Sequence, residues 1–206
     1  MALVAGALCT LLFSFRLIRL LLKGRPKDLS KASGSVPKGV LYSCTTAMLP
    51  HNKESAYLHL PTFTAGMLFH VGIFLALLAF VWFILSTLFI WPTPPVVVYL
   101  CSAILVVTAC CGLSILLKRL FKKELRSLSC ADDYISNGLA TLFQLATAGF
   151  LLFPGTSLPY YFMVSLLFLW LPVGKTRHLL YFFAARFHLG FFYGRRGSWP
   201  PNVRRI

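Results

Sequence analysis

The sequence predicts an all-α integral membrane protein of five transmembrane helices in a bundle, with the N-terminus outside and the C-terminus in the cytoplasm. Three observations predict it. No charged side chain lies between Glu54 and Lys118, or between Asp133 and Lys175, and a run of about 20 apolar residues is enough to cross the hydrocarbon core of a bilayer. Of the 206 residues, 58% are hydrophobic and only 12% charged, with mean hydropathy +0.77, whereas soluble domains are nearer half apolar and a quarter charged. The 20 Lys and Arg, set against 5 Asp and Glu, fall in alternate connections of the expected helices, and basic connections stay in the cytoplasm.

The first helix covers about 2–22. Its apolar stretch precedes Arg16, Arg19, Lys23 and Arg25, the reverse of a secretory leader, so it is expected to be retained. A polar segment, 23–60, follows, in which Pro26, Pro37 and Pro50 exclude a long helix. Helix 2 is expected over 62–90, and Trp91 begins an uncharged, proline-rich turn suited to the membrane interface. Helix 3 is expected over 96–117 and the basic loop KRLFKKELRSLSCADD follows it. Helix 4 covers about 133–153 and is ended by Pro154 and Gly155. Helix 5 covers about 159–188, continuing past Pro172 and Gly174 with a possible kink, and the tail 189–206 is expected to be extended. The whole chain reads as a single membrane domain without internal repeats.

Loops 1–2 and 3–4 and the end of helix 5 with its tail carry all the basic residues outside helix 1, whereas turns 2–3 and 4–5 carry none. A formal net charge of +15 would suit nucleic acid, but polybasic loops beside membrane helices account for it. No nucleic-acid partner is therefore expected; membrane lipid is. The chain has no room for a separate soluble catalyst, so redox or transport chemistry on soluble substrates would need a partner subunit. The six cysteines form no CxxC pair, which argues against a zinc site or a disulfide framework and for small buried hydrophobes.

Of the five histidines, only His70 lies within an apolar helix, in FTAGMLFHVGIFLALLAFVWF. An ionisable group at membrane depth is a functional candidate by default. His70 is expected about 12 Å along the axis from the cytoplasmic end of helix 2. His178 sits near the cytoplasmic end of helix 5, so the two are expected at similar depth. Two neutral imidazoles on different helices are suited to ligating one haem iron. Gly66, four residues before His70 and on roughly its face, would let a macrocycle approach the backbone. Lys175, Arg177 and Arg186 are candidate partners for the propionates. A packing role for His70 and an interfacial role for His178 are the plain alternative. His59 and His188 are weaker candidates, at the water boundary and among arginines respectively.

The strings LFHVGIFLALLAF (68–80), GLSILLKRLFKKELRSLSCADDYISNGLATLFQLATAGF (112–150) and LWLPVGKTRHLLYFF (169–183) resemble the cytochrome b gamma subunit of respiratory nitrate reductase, a family that includes the membrane cytochromes of heterodisulfide reductases. With the five-helix topology the resemblance covers about two thirds of the chain. It implies two haems b held by helices 2 and 5, with His70 and His178 matching the ligands of the cytoplasmic-side haem. The outer pair is expected ten residues after His70 and 18 before His178, and those positions are Phe80 and Tyr160. The resemblance therefore implies one haem b here, with the outer one lost. One haem on the inner side does not span the bilayer, so quinone chemistry is expected near the cytoplasmic side or midplane.

These readings converge on a membrane-anchor electron-transfer subunit in the prokaryotic cytoplasmic membrane. It would pass electrons between a quinone or menaquinone pool and a cytoplasmic iron–sulfur or flavin partner. Trp82, Phe80 and Tyr160 are candidates to line a quinone site, and KGVLYSCTTAMLPHNKES and YGRRGSWPPNVRRI to form docking surface or a lipid-headgroup anchor. The alternative is a haem-free anchor tethering a soluble redox enzyme. A transporter would want more polar residues inside its helices than Gln144, Asn137 and Ser86, and a thiol–quinone oxidoreductase would want better-placed cysteines than the adjacent Cys110 and Cys111.

Overall fold

The computed structural model of the protein describes residues 1–24, 28–89 and 92–201, apart from the side chains at 54 and 55. Pro26, Trp91 and the basic end of the tail lie outside the described residues. The fold is helical, with no strand among those described. Its elements are α1 (Ala2–Leu22), α2 (Val36–Cys44), α3 (Glu54–Leu58), α4 (Leu60–Phe89), α5 (Pro95–Phe121), α6 (Lys123–Ser127), α7 (Ala131–Leu152), α8 (Ser157–Trp170) and α9 (His178–Arg195).

Four of these, α1, α4, α5 and α7, are long and apolar enough to cross a membrane. The expected fifth helix is not one helix. It is interrupted between Trp170 and His178, where Pro172 has no N–H to donate and its ring excludes the carbonyl four residues back. At 14 residues, α8 is about 21 Å long, short of the ~30 Å hydrocarbon core, so a fifth span exists only if the broken α8–α9 pair is counted as one. The tail also departs from expectation: α9 continues through residues 189–195 as helix. The six cysteines are all free, but only Cys9 is buried, and Cys44, Cys110 and Cys130 are exposed, against the expectation of small buried hydrophobes.

The chain divides into two compact units, Met1–Leu11 with Pro61–Thr176, and Leu12–Leu60 with Arg177–Ile206. In the first, small residues let helices approach closely, the packing mode available where apolar burial from water gives no drive. Ala2, Ala5 and Cys9 of α1 are buried, and Gly6 beside them faces the Phe168 ring of α8. α7 packs against α5 and α8. At the centre lies a polar knot: fully buried Gln144 accepts from Thr108 Oγ1 at 2.7 Å and donates from Nε2 to the Phe69 carbonyl at 3.4 Å. It ties α7 to α5 and α4, and it fits only because position 72 has no Cβ, which would overlap Thr108 and Gln144.

The second unit gives the 23–60 segment a structure that its polarity does not suggest. α2 lies directly on α9, backbone against backbone: a Cβ on Gly190 would stand 2.5 Å from Val40 Cα and 2.9 Å from Gly39 O. Beyond α2 the chain is pinned by Ser33 N and Gly34 N, which both donate to the Arg195 carbonyl at 3.0 Å, and by an ion pair of Asp28 with Arg196 at 3.0 Å. Trp199 packs on Tyr42 and Tyr193. The two segments expected to serve as docking surface are thus partly occupied with one another. Gly24, at φ 68°, ends α1 in the left-handed conformation that glycine adopts without penalty.

Candidate functional site

His70 sits in the third turn of α4. Its Nδ1 lies 2.7 Å from the Gly66 carbonyl oxygen. A carbonyl oxygen only accepts, so Nδ1 carries a proton and donates. This is the hydrogen bond that orients a metal-ligating imidazole and raises its basicity. A Cβ added at Gly66 would meet nothing within 4 Å, so there is open space along this stretch of α4. The turn itself is braced from behind, because Gln144 holds the carbonyl of Phe69, the residue before His70.

His178, the first residue of α9, is exposed, as is Arg177. Arg186 lies two turns further on, its guanidinium 5.5 Å from the Phe182 ring centroid. Burial, and then the neighbouring positive charge of Arg186, pushes the Lys53 ammonium below its ordinary pKa. His70, Gly66 and Lys175 belong to the first unit; Arg177, His178 and Arg186 belong to the second.

Lys175 is committed elsewhere. Its Nζ pairs with Asp133 at 2.8 Å, and its backbone N–H donates to the Asp132 carboxylate at 2.9 Å. Arg119 joins the Asp133 carboxylate at 3.3 Å. Trp170 Nε1 donates to Ser136 Oγ at 2.9 Å, and Ser136 in turn to Asp132 at 2.6 Å. The first turn of α7 therefore fastens the break between α8 and α9, and its two acids also sit where a helix dipole favours negative charge. In the sequence these acids read only as part of a charged loop.

Phe80 and Tyr160, the positions at which the resemblance expects an outer pair of ligands, are both buried in rings. Phe80 meets Phe168 edge-on at 5.2 Å, and Tyr160 stacks on Phe150 at 4.7 Å with Phe83 and Tyr161 around it. Trp82 donates to Thr93 Oγ1 at 2.8 Å and lines a cavity of about 430 Å³ whose other walls are mostly aliphatic.

No family model, curated protein or solved structure matches this chain. No group of three or more His, Cys, Asp or Glu among the described residues would hold a bare metal ion; a haem iron needs two axial donors, its other four being the porphyrin's. Gln144 is the residue that sequence reasoning undervalued. It was visible as a lone amide in an apolar helix, but nothing in its neighbours points to the Phe69 carbonyl.

Proposed function

We propose that this protein is a membrane-anchor electron-transfer subunit holding one haem b, related to the cytochrome b gamma subunits that its motifs resemble. His70 and His178 would hold its iron. Haem b bound there supplies one-electron transfer between a quinone or menaquinone pool and a cytoplasmic iron–sulfur or flavin partner. The observation that carries the reading is the Nδ1–H of His70 held by the Gly66 carbonyl: it sets the tautomer and aim of a ligand, at membrane depth, where a packing histidine is costly. Arg177 and Arg186 are the propionate partners. Lys175, already neutralised by Asp133, serves the fold first. The ring cluster around Phe80 and Tyr160 supports the loss of an outer haem, since packed aromatics occupy those positions.

The basic connections support an N-terminus outside and a tail in the cytoplasm, with the chain read as a protein of the prokaryotic inner membrane. The test is a reduced-minus-oxidised spectrum of the purified chain, with haem quantified per polypeptide. One haem per chain is expected, and His70→Ala and His178→Ala should each abolish the b-type signal. A full signal in either variant refutes the ligand pair, and a colourless wild type favours the haem-free anchor.

A further inference from the structure

The geometry points to a binding site for the headgroup phosphate of an anionic phospholipid at the end of α1. Arg16, Arg19 and Leu20 of α1, Lys23 just beyond its end and Tyr181 of α9 line a cavity of about 230 Å³ within the second unit. Three cations and a phenol face it, and among the described residues no carboxylate does. The described ion pairs are made elsewhere: Asp28 with Arg196, and Asp133 with Arg119 and Lys175. Among the described side chains no ion pair reaches Arg16, Arg19 or Lys23. Within the described residues, then, their positive charge is not neutralised, and an anion from outside is the proposed counter-charge.

The position selects a lipid over a free anion. α1 runs 21 residues from Ala2. At 1.5 Å per residue, Lys23 stands about 31 Å along it, where a helix leaves the ~30 Å hydrocarbon for the headgroup layer, and Arg16 and Arg19, about two turns and one turn short of it, reach toward that layer with their long side chains. Beside the cavity, Leu12, Phe15, Leu17, Ile18, Leu21 and Leu22 are exposed, a surface for acyl chains that inorganic phosphate would not use. Basic residues at a cytoplasmic helix end attract anionic lipid, and Arg19, in the last turn of α1, is also favoured by the helix dipole. A lipid bound here would cover the bare half of α1. The inference does not depend on the haem.

The test is native mass spectrometry of the full chain in neutral detergent, titrated with dioleoylphosphatidylglycerol, dioleoylphosphatidylcholine or inorganic phosphate. Phosphatidylglycerol should bind at least tenfold more tightly than phosphatidylcholine, and equimolar phosphate should not displace it. At about fivefold per cation removed, Arg16→Gln with Arg19→Gln should weaken binding about 25-fold. Lys122→Gln with Lys123→Gln, removing the same charge after α5, should leave it unchanged. Tyr181→Phe keeps charge and packing and should weaken binding about tenfold; it decides the matter if the double arginine variant does not fold. Unchanged phosphatidylglycerol affinity in folded R16Q/R19Q, or in Y181F if that variant fails, overturns the site. So does displacement by equimolar phosphate, or equal loss in K122Q/K123Q. Loss of haem from R16Q/R19Q with lipid binding intact would also overturn it, by assigning the cavity to the cofactor.

Discussion

Gly190→Ala probes the contact that holds α2 onto α9. The added methyl would sit 2.5 Å from Val40 Cα, 2.9 Å from Gly39 O and 2.9 Å from Val40 N, where ordinary contact begins at 3.4 Å. All three neighbours are backbone, so no rotamer change relieves the overlap, and α2 must back away by up to about 0.9 Å. A gap of that size forfeits a quarter to a half of each dispersion well, and overpacking of this kind costs about 1–3 kcal/mol. Alanine recovers about 0.5–1 kcal/mol of helix propensity. The clash wins, leaving a net loss of about 1–2 kcal/mol and a roughly five- to thirtyfold rise in the population with α2 undocked. Amide exchange of residues 36–44 in lipid nanodiscs reads this directly. Gly149→Ala is the matched control, since nothing lies within 4 Å of its Cβ; it should gain propensity and leave α2 exchange unchanged. If Gly190→Ala exchanges at the wild-type rate in α2, the backbone contact does not hold the segment and the reasoning fails.

Three further outcomes are expected. Gly72→Ala should displace Thr108 and Gln144, stranding a buried amide as well as overpacking the core, at about 2–4 kcal/mol; thermal unfolding in detergent measures it, and a near-neutral effect would mean that the knot is not tight. The Arg196 guanidinium, then the Ser30 backbone N–H, hold the Asp28 carboxyl well below the usual carboxylate range. Its contribution is therefore complete above the unfolded carboxylate pKa of about 3.9 and fades as pH falls through the lower folded value, so proteolytic release of the tail should increase only in strong acid and Asp28→Asn should show no such pH dependence. A double-mutant cycle of Asp133→Asn with Lys175→Gln should return a coupling of about 0.2–1 kcal/mol, as for a partly exposed pair; zero coupling would leave the backbone bond of Lys175 as the fastening that matters.

Local sequence was sufficient for whatever depends on a single helix. α1 begins and ends at its expected residues, and α4, α5 and α7 lie within four residues of theirs at each end, because apolar length in a bilayer and proline at the boundaries are properties of a contiguous stretch. His70 was legible for the same reason: one imidazole in a charge-free helix needs no neighbour to be noticed. Other features depended on partners distant in the chain. Pro172 predicted a kink, but a full break requires the freed donor at Lys175 to find Asp132, 43 residues away. The polar composition of 23–60 reads as loop until Gly39 meets Gly190 and Gly194 across the fold. Arg16, Arg19 and Lys23 read as a generic basic flank until Tyr181 closes a cavity against them. Sequence alone determined which segments are helical and apolar enough for a membrane. Tertiary structure alone decided which polar groups are satisfied within the chain and which charges still need a counter-ion, because hydrogen bonds and ion pairs act over a few ångströms of space regardless of separation along the chain.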